Sequence, residues 1–354
     1  MKNLFVVHTQ YSLSLITGLK NNRFNKDLND LILIGEFNVQ PEIIYAIKKN
    51  FKKIIIIKGV LSKGKKNGLT TSIVFLINTL RVKKFISTKY NRIFITNDMS
   101  LPEMHIMKKA YSLNPAVEFI ALEDGAYPYF LNYATSGGLD TNNFTRHLRK
   151  ILFKYLLGCG KFYSFEGRFM GANTWLKSIY LTYKDYARDI YNNKNRIEIT
   201  ATEFNTGIDL LFQGTNTTIQ NNSVVLILDK LDVYKNRSSI NLLIAELVTT
   251  LLGNDKTIYY KYHPREDQQL DELKDCNELN RNIAIESYYK DFLNNKPIII
   301  GIKSTGLQTA KKMGFDVISL AKVADEHNED VLNFYEKIGI TILDDIKQFN
   351  QLLA

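Results

Sequence analysis

Cysteine is almost missing from this chain: Cys159 and Cys276 are its only two in 354 residues. Two isolated thiols make neither a disulfide framework nor a CxxC metal site, so cysteine-bound zinc is excluded and a reducing compartment fits. No run approaches the ~18 consecutive apolar residues that a membrane span needs. The start "MKNLFVVHTQYSLSL" also lacks the long apolar region and small-residue cleavage site of a signal peptide. A cytoplasmic location is therefore expected. A Walker motif, a zinc-finger spacing, an RNP signature and internal repeats are all absent too.

What is present is enough apolar material for sizeable cores: 45% of residues are hydrophobic and 12% aromatic, well above a disordered chain. The length favours two domains over one. The formal charge of +10 and a pI near 9.2 admit an anionic substrate, an anionic membrane surface or nucleic acid. Lys and Arg are scattered, with no nucleic-acid motif, so no nucleic-acid partner is expected.

Short β-branched or aliphatic runs recur, each followed by a longer amphipathic stretch. "NLFVV", "LILIG", "KKIIIIKG", "RIFITND" and "EFIALEDG" form a first series; "SVVLILD", "TIYYKYHP", "IAIES", "PIIIGIK" and "DVISLA" form a second. Continuous apolar runs bounded by Gly, Asp, Asn or Pro predict strands buried on both faces of a parallel sheet. "INTLRVKKFIST" and "SINLLIAELVTTLLG" show helical spacing between them. The alternation predicts doubly wound α/β layers. Between the series, from about Asn142 to Asn222, helix-compatible sequence such as "RHLRKILFKYLLG" and "WLKSIYLTYKDYARDIY" dominates, ending in the polar tract "QGTNTTIQNNS". That tract reads as an exposed linker, giving domains over 1–215, with a helical insertion, and 216–354. Two Rossmann-like domains facing a central cleft constitute the GT-B architecture.

In open α/β sheets the working residues lie just past the carboxyl ends of strands, and four such places carry chemistry. Glu123, Asp124 and Gly125 end "EFIALEDG": one carboxylate can face a ligand while its neighbour is solvated or bonded to backbone, Gly125 permits the turn, and an ordinary Asp-Gly turn reads the same. His263 ends "YYKYHPRED", where Pro264 bars helix and limits backbone freedom, with Arg265 next; the imidazole suits an acid or a phosphate ligand, or a plain cap. Lys303, Ser304, Thr305 and Gly306 follow "PIIIGI" at a helix start, where free N–H groups and two hydroxyls suit a phosphate, or Ser304 or Thr305 is simply an N-cap. Glu286 follows the expected strand "IAIES", as a ribose ligand or a surface carboxylate.

The order of these elements, acid-acid-Gly in the first half and then His-Pro, an acid and a Ser-Thr helix start, resembles the bacterial sialyltransferases. The second domain looks like glycosyltransferase family 52, the lipooligosaccharide and capsule sialyltransferases. The resemblance runs from "NLFVVHTQYSL" to "IIIGIKSTGLQTAKKMGFDVISLAK", with His-Pro-Arg and Glu-Asp-Gly as its specific elements. It implies an inverting transfer of sialic acid from CMP-sialic acid to a terminal galactoside, in α2,3 linkage as the commoner outcome, with no cofactor and no essential metal. On this resemblance His263 assists the departing phosphate, Ser304 and Thr305 bind it with Lys303 and Arg265 nearby, and Glu286 takes the ribose. Asp124 and Asp232, the latter in "VVLILDKLD", are equal claimants for the base. Where many relatives carry two serines this chain has "STG".

The basic stretch "TRHLRKILFKYLLGCGKFYSFEGRF" alternates Arg146, Arg149, Lys150 and Lys154 with Leu148, Ile151, Leu152 and Leu156. It suits a helix on a core with a solvated face, or a peripheral contact with the anionic inner membrane. A homodimer is compatible with the sequence. The rival readings are a hexosyltransferase or a CDP-polyol phosphate transferase of the same fold, and a non-catalytic nucleotide-sugar-binding protein.

Overall fold

The computed structural model describes residues 1–35, 39–59, 68–129, 151, 154–155, 158–162, 170–212, 215, 217–231, 234, 236–264, 266–324 and 328–349. The chain divides into two compact units, Met1–Phe212 and Gln213–Ala354.

The first unit begins β1 (Lys2–Val7), α1 (Gln10–Asn22), β2 (Leu28–Gly35), α2 (Pro41–Asn50), β3 (Lys53–Lys58), α3 (Gly68–Phe85), β4 (Arg92–Ile95), α4 (Leu101–Leu113) and β5 (Glu118–Leu122). It continues through β6 (Leu176–Leu181) and β7 (Asn195–Glu198) to α5 (Ala201–Leu211). The strands form one parallel sheet in the order β3-β2-β1-β4-β5-β6-β7. The chain turns back after β3, so the sheet has its switch point between β1 and β4. The right-handed crossover rule places α1 and α2 on one face and α3 and α4 on the other. Phe5 stacks on Phe94 at 4.6 Å between ring centres, with Phe24 5.2 Å from Phe94; each such ring contributes roughly 1.5–3 kcal/mol on burial.

Helix starts follow the expected chemistry. Thr9 caps α1, Ser100 caps α4 and Thr200 caps α5, with Pro41 and Pro102 in first turns. α1 and α5 cross at two glycines. A methyl on Gly18 would lie 1.8 Å from the Glu203 carbonyl oxygen, and one on Gly207 1.9 Å from that of Ser14. Beside the crossing, Arg23 pairs with Glu203, its Nη2 donating to Oε2 at 2.7 Å.

The second unit runs β8 (Ser223–Ile227), α6 (Arg237–Gly253), β9 (Thr257–Lys261), β10 (Asn277–Glu278), α7 (Ile285–Phe292), β11 (Ile298–Gly301), α8 (Thr305–Lys312), β12 (Val317–Ser319), α9 (Glu329–Lys337) and β13 (Thr341–Ile342). Its parallel order is β10-β9-β8-β11-β12-β13, with the switch point between β8 and β11. Val224, Leu226, Ile244, Leu247 and Ile300 centre its core.

Every apolar run of the two series is a strand except "IAIES", which opens α7 instead. "WLKSIYLTYKDYARDIY" is β6 followed by 3₁₀ turns at Lys184–Tyr186 and Asp189–Tyr191, not a helix. Its Leu, Ile and Tyr spacing suits either element locally, and pairing with β5 decides it. The polar tract is only partly exposed: Ile219 is buried and Asn295 Nδ2 donates to its carbonyl oxygen at 2.6 Å. Among the described residues no helix is long and apolar enough to cross a membrane.

Candidate functional site

In the second unit, register sets the geometry. Lys261, Ile227 and Gly301 pair at one level across β9, β8 and β11. Two residues further along each chain lie His263, Asp229 and Lys303, so an imidazole, a carboxylate and an ammonium project from the carboxyl edge at the switch point.

His263 is held by the turn that follows it. The Glu266 N–H donates to the His263 carbonyl at 2.9 Å, closing a β-turn with Pro264 at its second position, where the proline ring fits. The Glu266 carboxylate is buried; it accepts from the Leu231 N–H at 2.8 Å and the Gln268 N–H at 3.0 Å. Arg281 donates to the Glu266 carbonyl at 2.8 Å and lies over the Tyr262 ring. The His-Pro turn is thereby fastened to the segment after β8.

Across the switch point, the Lys303 N–H donates to Asp229 Oδ2 at 3.2 Å and the Tyr234 hydroxyl donates to the same oxygen at 2.5 Å. The Lys303 ammonium sits 5.0 Å from the centre of the Tyr234 ring. Ser304 is the N-cap of α8, its Oγ accepting from the Gly306 N–H at 3.3 Å; its own O–H can still donate to an anion. Thr305 opens the helix, and both are half-buried.

Glu286 lies in the first turn of α7, not after a strand, and it is buried rather than a surface carboxylate. Burial pushes its carboxyl up, opposed by the Lys261 charge, and burial pulls the Lys261 ammonium down to about 8. A methyl on Gly306 would lie 3.4 Å from Ile285 Cγ2, so the starts of α7 and α8 adjoin. The fold thus brings the surroundings of His263, Glu286, Lys303, Ser304 and Thr305 to one edge. Asp232 and Arg265 lie outside the described residues.

In the first unit Glu123 and Asp124 diverge. Glu123 is buried and accepts from Tyr11, from Tyr129, from the Thr182 N–H at 2.6 Å and from Thr182 Oγ1 at 2.7 Å. Burial still raises its pKa despite those bonds. With both oxygens committed, Glu123 braces the β5 end. Asp124 is half-buried, accepts from Thr9 Oγ1 at 2.9 Å and lines a depression with Thr96, Tyr127, Pro128 and Gly171. Gly125 follows at φ 62°, the left-handed conformation a glycine adopts without strain.

Sequence reasoning missed Asp229, Glu266, Asp98 and the pair of His8 with Glu103. Asp98 is buried, accepts from the Gly171 N–H at 2.8 Å, and burial raises it to about 6. His8 Nε2 meets the Glu103 carboxylate in the interior. The strand-end rule that selected Asp124 also points to His8, Asp98 and Asp229, each at or near the first polar position after a buried run. Among the described residues, no three His, Cys, Asp or Glu side chains are grouped to hold a metal.

The chain resembles known structures over its whole length. An α/β-galactoside α-2,3-sialyltransferase from Photobacterium phosphoreum is 11% identical, with 98% of each chain covered and a TM-score of 0.55. The UDP-GlcNAc 2-epimerase of Methanocaldococcus jannaschii is 12% identical over 99% of this chain and 91% of its own, at 0.57. That of Neisseria meningitidis is 12% identical over 100% and 98%, at 0.54. These likenesses, with the two parallel sheets, make the fold α/β of the GT-B class. No curated protein sequence matches the chain. The family model for alpha-2,8-polysialyltransferases matches residues 3–321, a span that takes in both strand-end sites, and the chain belongs to that family.

Proposed function

We propose that the protein transfers sialic acid from CMP-sialic acid to a glycan acceptor, with inversion and without an essential metal. The observation that carries this reading is that His263, Asp229 and Lys303 each follow by two residues the paired ends of three adjacent strands, with the start of α8 directly after Lys303. Such an edge suits the phosphate of a nucleotide sugar: helix N–H groups, the Ser304 and Thr305 hydroxyls and the Lys303 ammonium all favour negative charge.

As the bond between the anomeric carbon and the phosphate oxygen breaks, its electron pair leaves with CMP, and His263 donates a proton or hydrogen bond to that phosphate. Glu286 takes the ribose hydroxyls. Asp124 is assigned as the base that accepts the proton of the attacking hydroxyl, because Glu123 is fully engaged in bracing. Asp232 is the other claimant. Arg265 is assigned to the donor phosphate.

For the acceptor, the family description supports an α2,8 linkage to a sialic acid. The terminal galactoside of a lipooligosaccharide or capsular glycan, in α2,3 linkage, is the other acceptor class. Purified protein incubated with CMP-sialic acid and chelator, offered either lactose or a sialylated primer, separates them by product mass and linkage. An α2,8-linked product on the primer supports the reading. Exclusive use of CDP-polyol or UDP-hexose donors would overturn it.

A further inference from the structure

Lys261 takes no part in the chemistry above, yet it is an ionisable side chain only 5% exposed, at the last position of β9. Burying an ammonium is costly unless it is paired or hydrogen-bonded. Side chains alternate along a strand. Tyr260 and Tyr262 enter the core with α6 and with Leu226 of β8, so Lys261 and its register partner Ile227 project from the opposite face. α7 starts on that face: a methyl on Gly306 would lie 3.1 Å from Ile227 Cδ1 and 3.4 Å from Ile285 Cγ2, and Glu286 is the next residue.

The lysine acts on that helix start in two ways. Its ammonium donates to the Arg281 carbonyl at 3.2 Å, in the segment that leads from β10 into α7. Its charge also opposes the burial that pushes up the carboxyl of Glu286, itself only 7% exposed. The two do not pair directly. Among the described residues, the ammonium donates to the carbonyls of Arg281 and Tyr262 and to no carboxylate, and Glu286 accepts from no other residue's donor. A buried carboxylate with open acceptor sites and a cation near it suits an incoming donor. Other charged or titratable groups surround the pair. Arg281 is bonded to Glu278 at 2.8 Å and pulls the lysine further down. Tyr289, one turn on in α7, is buried and keeps its proton, donating to the Gly306 carbonyl at 2.9 Å. His263 and Lys303 follow the ends of β9 and β11.

We propose that Lys261 is a positioning residue for the donor: its ammonium keeps Glu286 ionised inside the protein and its bond to the Arg281 carbonyl fixes the entry to α7, so that the carboxylate accepts from both ribose hydroxyls. The inference rests on the reading of Glu286 as the ribose ligand given above. An ionised carboxylate only accepts, whereas protonation turns one acceptor site into a donor. Removing the lysine's charge raises Glu286 further, and ribose recognition then weakens as pH falls.

The test compares calorimetric binding of CMP and of dideoxy-CMP, which lacks both ribose hydroxyls, to the full chain from about pH 6 to about pH 8.5. The ratio of the two dissociation constants reads the ribose contacts alone, because the phosphate and its titrating neighbours are common to both ligands. Wild type should prefer CMP by about tenfold or more throughout, and Glu286→Ala should bind both alike. Lys261→Met and Lys261→Gln, the second keeping a donor for the Arg281 carbonyl if the first folds poorly, should drop to a preference of about twofold or less at the acid end and regain most of it at the alkaline end. A preference that matches wild type at every pH in a folded variant, or that falls equally at every pH, overturns the role of Lys261 and leaves the ribose reading standing. A wild type that binds the two ligands alike, or a Glu286→Ala protein that keeps the preference, overturns the ribose reading and the proposal with it.

Discussion

The Lys303 backbone N–H donates to the Asp229 carboxylate at 3.2 Å, joining the carboxyl ends of β11 and β8 at the switch point of the second unit. Tyr234 donates to the same oxygen at 2.5 Å and lies under the Lys303 ammonium. One carboxylate thus fixes both the backbone leading into α8 and the ring that orients a cation. Asp229→Ala should raise the donor KM about tenfold, the scale of losing one or two such bonds, with a smaller change in kcat. Asp229→Asn can place its carbonyl oxygen where Oδ2 accepts from both donors, without the charge, and should retain an intermediate KM. Donor titrations of CMP release measure both.

Ser304 has two parts to play, capping α8 and donating to an anion. Ser304→Gly should cost only a few tenths of a kcal/mol as a cap while weakening donor binding. Ser304→Ala should lose both, destabilising by about 1 kcal/mol. Urea melts and CMP binding isotherms separate the two effects.

The reading order of strand ends was legible because it depends on local pattern. A buried run such as "SVVLI" or "PIIIG" predicts a strand, and whatever polar residue comes next lies at the carboxyl edge. Glu286 shows the limit: "IAIES" carries a strand-like composition, yet Ile285 packs against Gly306 from the first turn of a helix. Glu266 shows another. Its partner Leu231 lies 35 residues earlier, and no spacing rule connects them. β6 was hidden for the same reason, since its pairing with β5 spans a long intervening stretch.

Glu266 holds the His-Pro turn through two backbone donors. Replacing it by Ala strands the buried Leu231 N–H, whereas water can reach that of the exposed Gln268; an unsatisfied buried group costs roughly 1–3 kcal/mol. Glu266→Ala should therefore destabilise the second unit by about 1–3 kcal/mol, whereas Glu266→Gln should be milder. Urea-induced unfolding gives the values.

The crossing of α1 and α5 admits no side chain at either glycine. Gly18→Ala and Gly207→Ala each place a methyl against backbone oxygen, and overpacking of this kind costs about 1–3 kcal/mol and occasionally more. Each should lower the melting temperature of the first unit, with the donor affinity of the second unchanged.

Asp98 gives a pH signature. Burial raises its folded-state pKa to about 6 from an ordinary 3.8, so the folded state keeps the proton that the unfolded state releases. Stability from this group is complete below about pH 4 and declines as pH rises to about 6, a change of roughly 3 kcal/mol. Asp98→Asn preserves an acceptor for the Gly171 N–H and should flatten that decline. Melting curves taken across the interval show it as a convergence of variant and wild type at low pH.

The most direct measurement is steady-state release of CMP from CMP-sialic acid by the wild type and by His263→Ala, with chelator and a sialylated primer present. If His263 assists the departing phosphate, kcat falls about 10²- to 10⁴-fold while the donor KM changes far less. A His263→Ala protein that turns over at the wild-type rate, or a wild type that binds CMP-sialic acid and never releases CMP, would contradict the account.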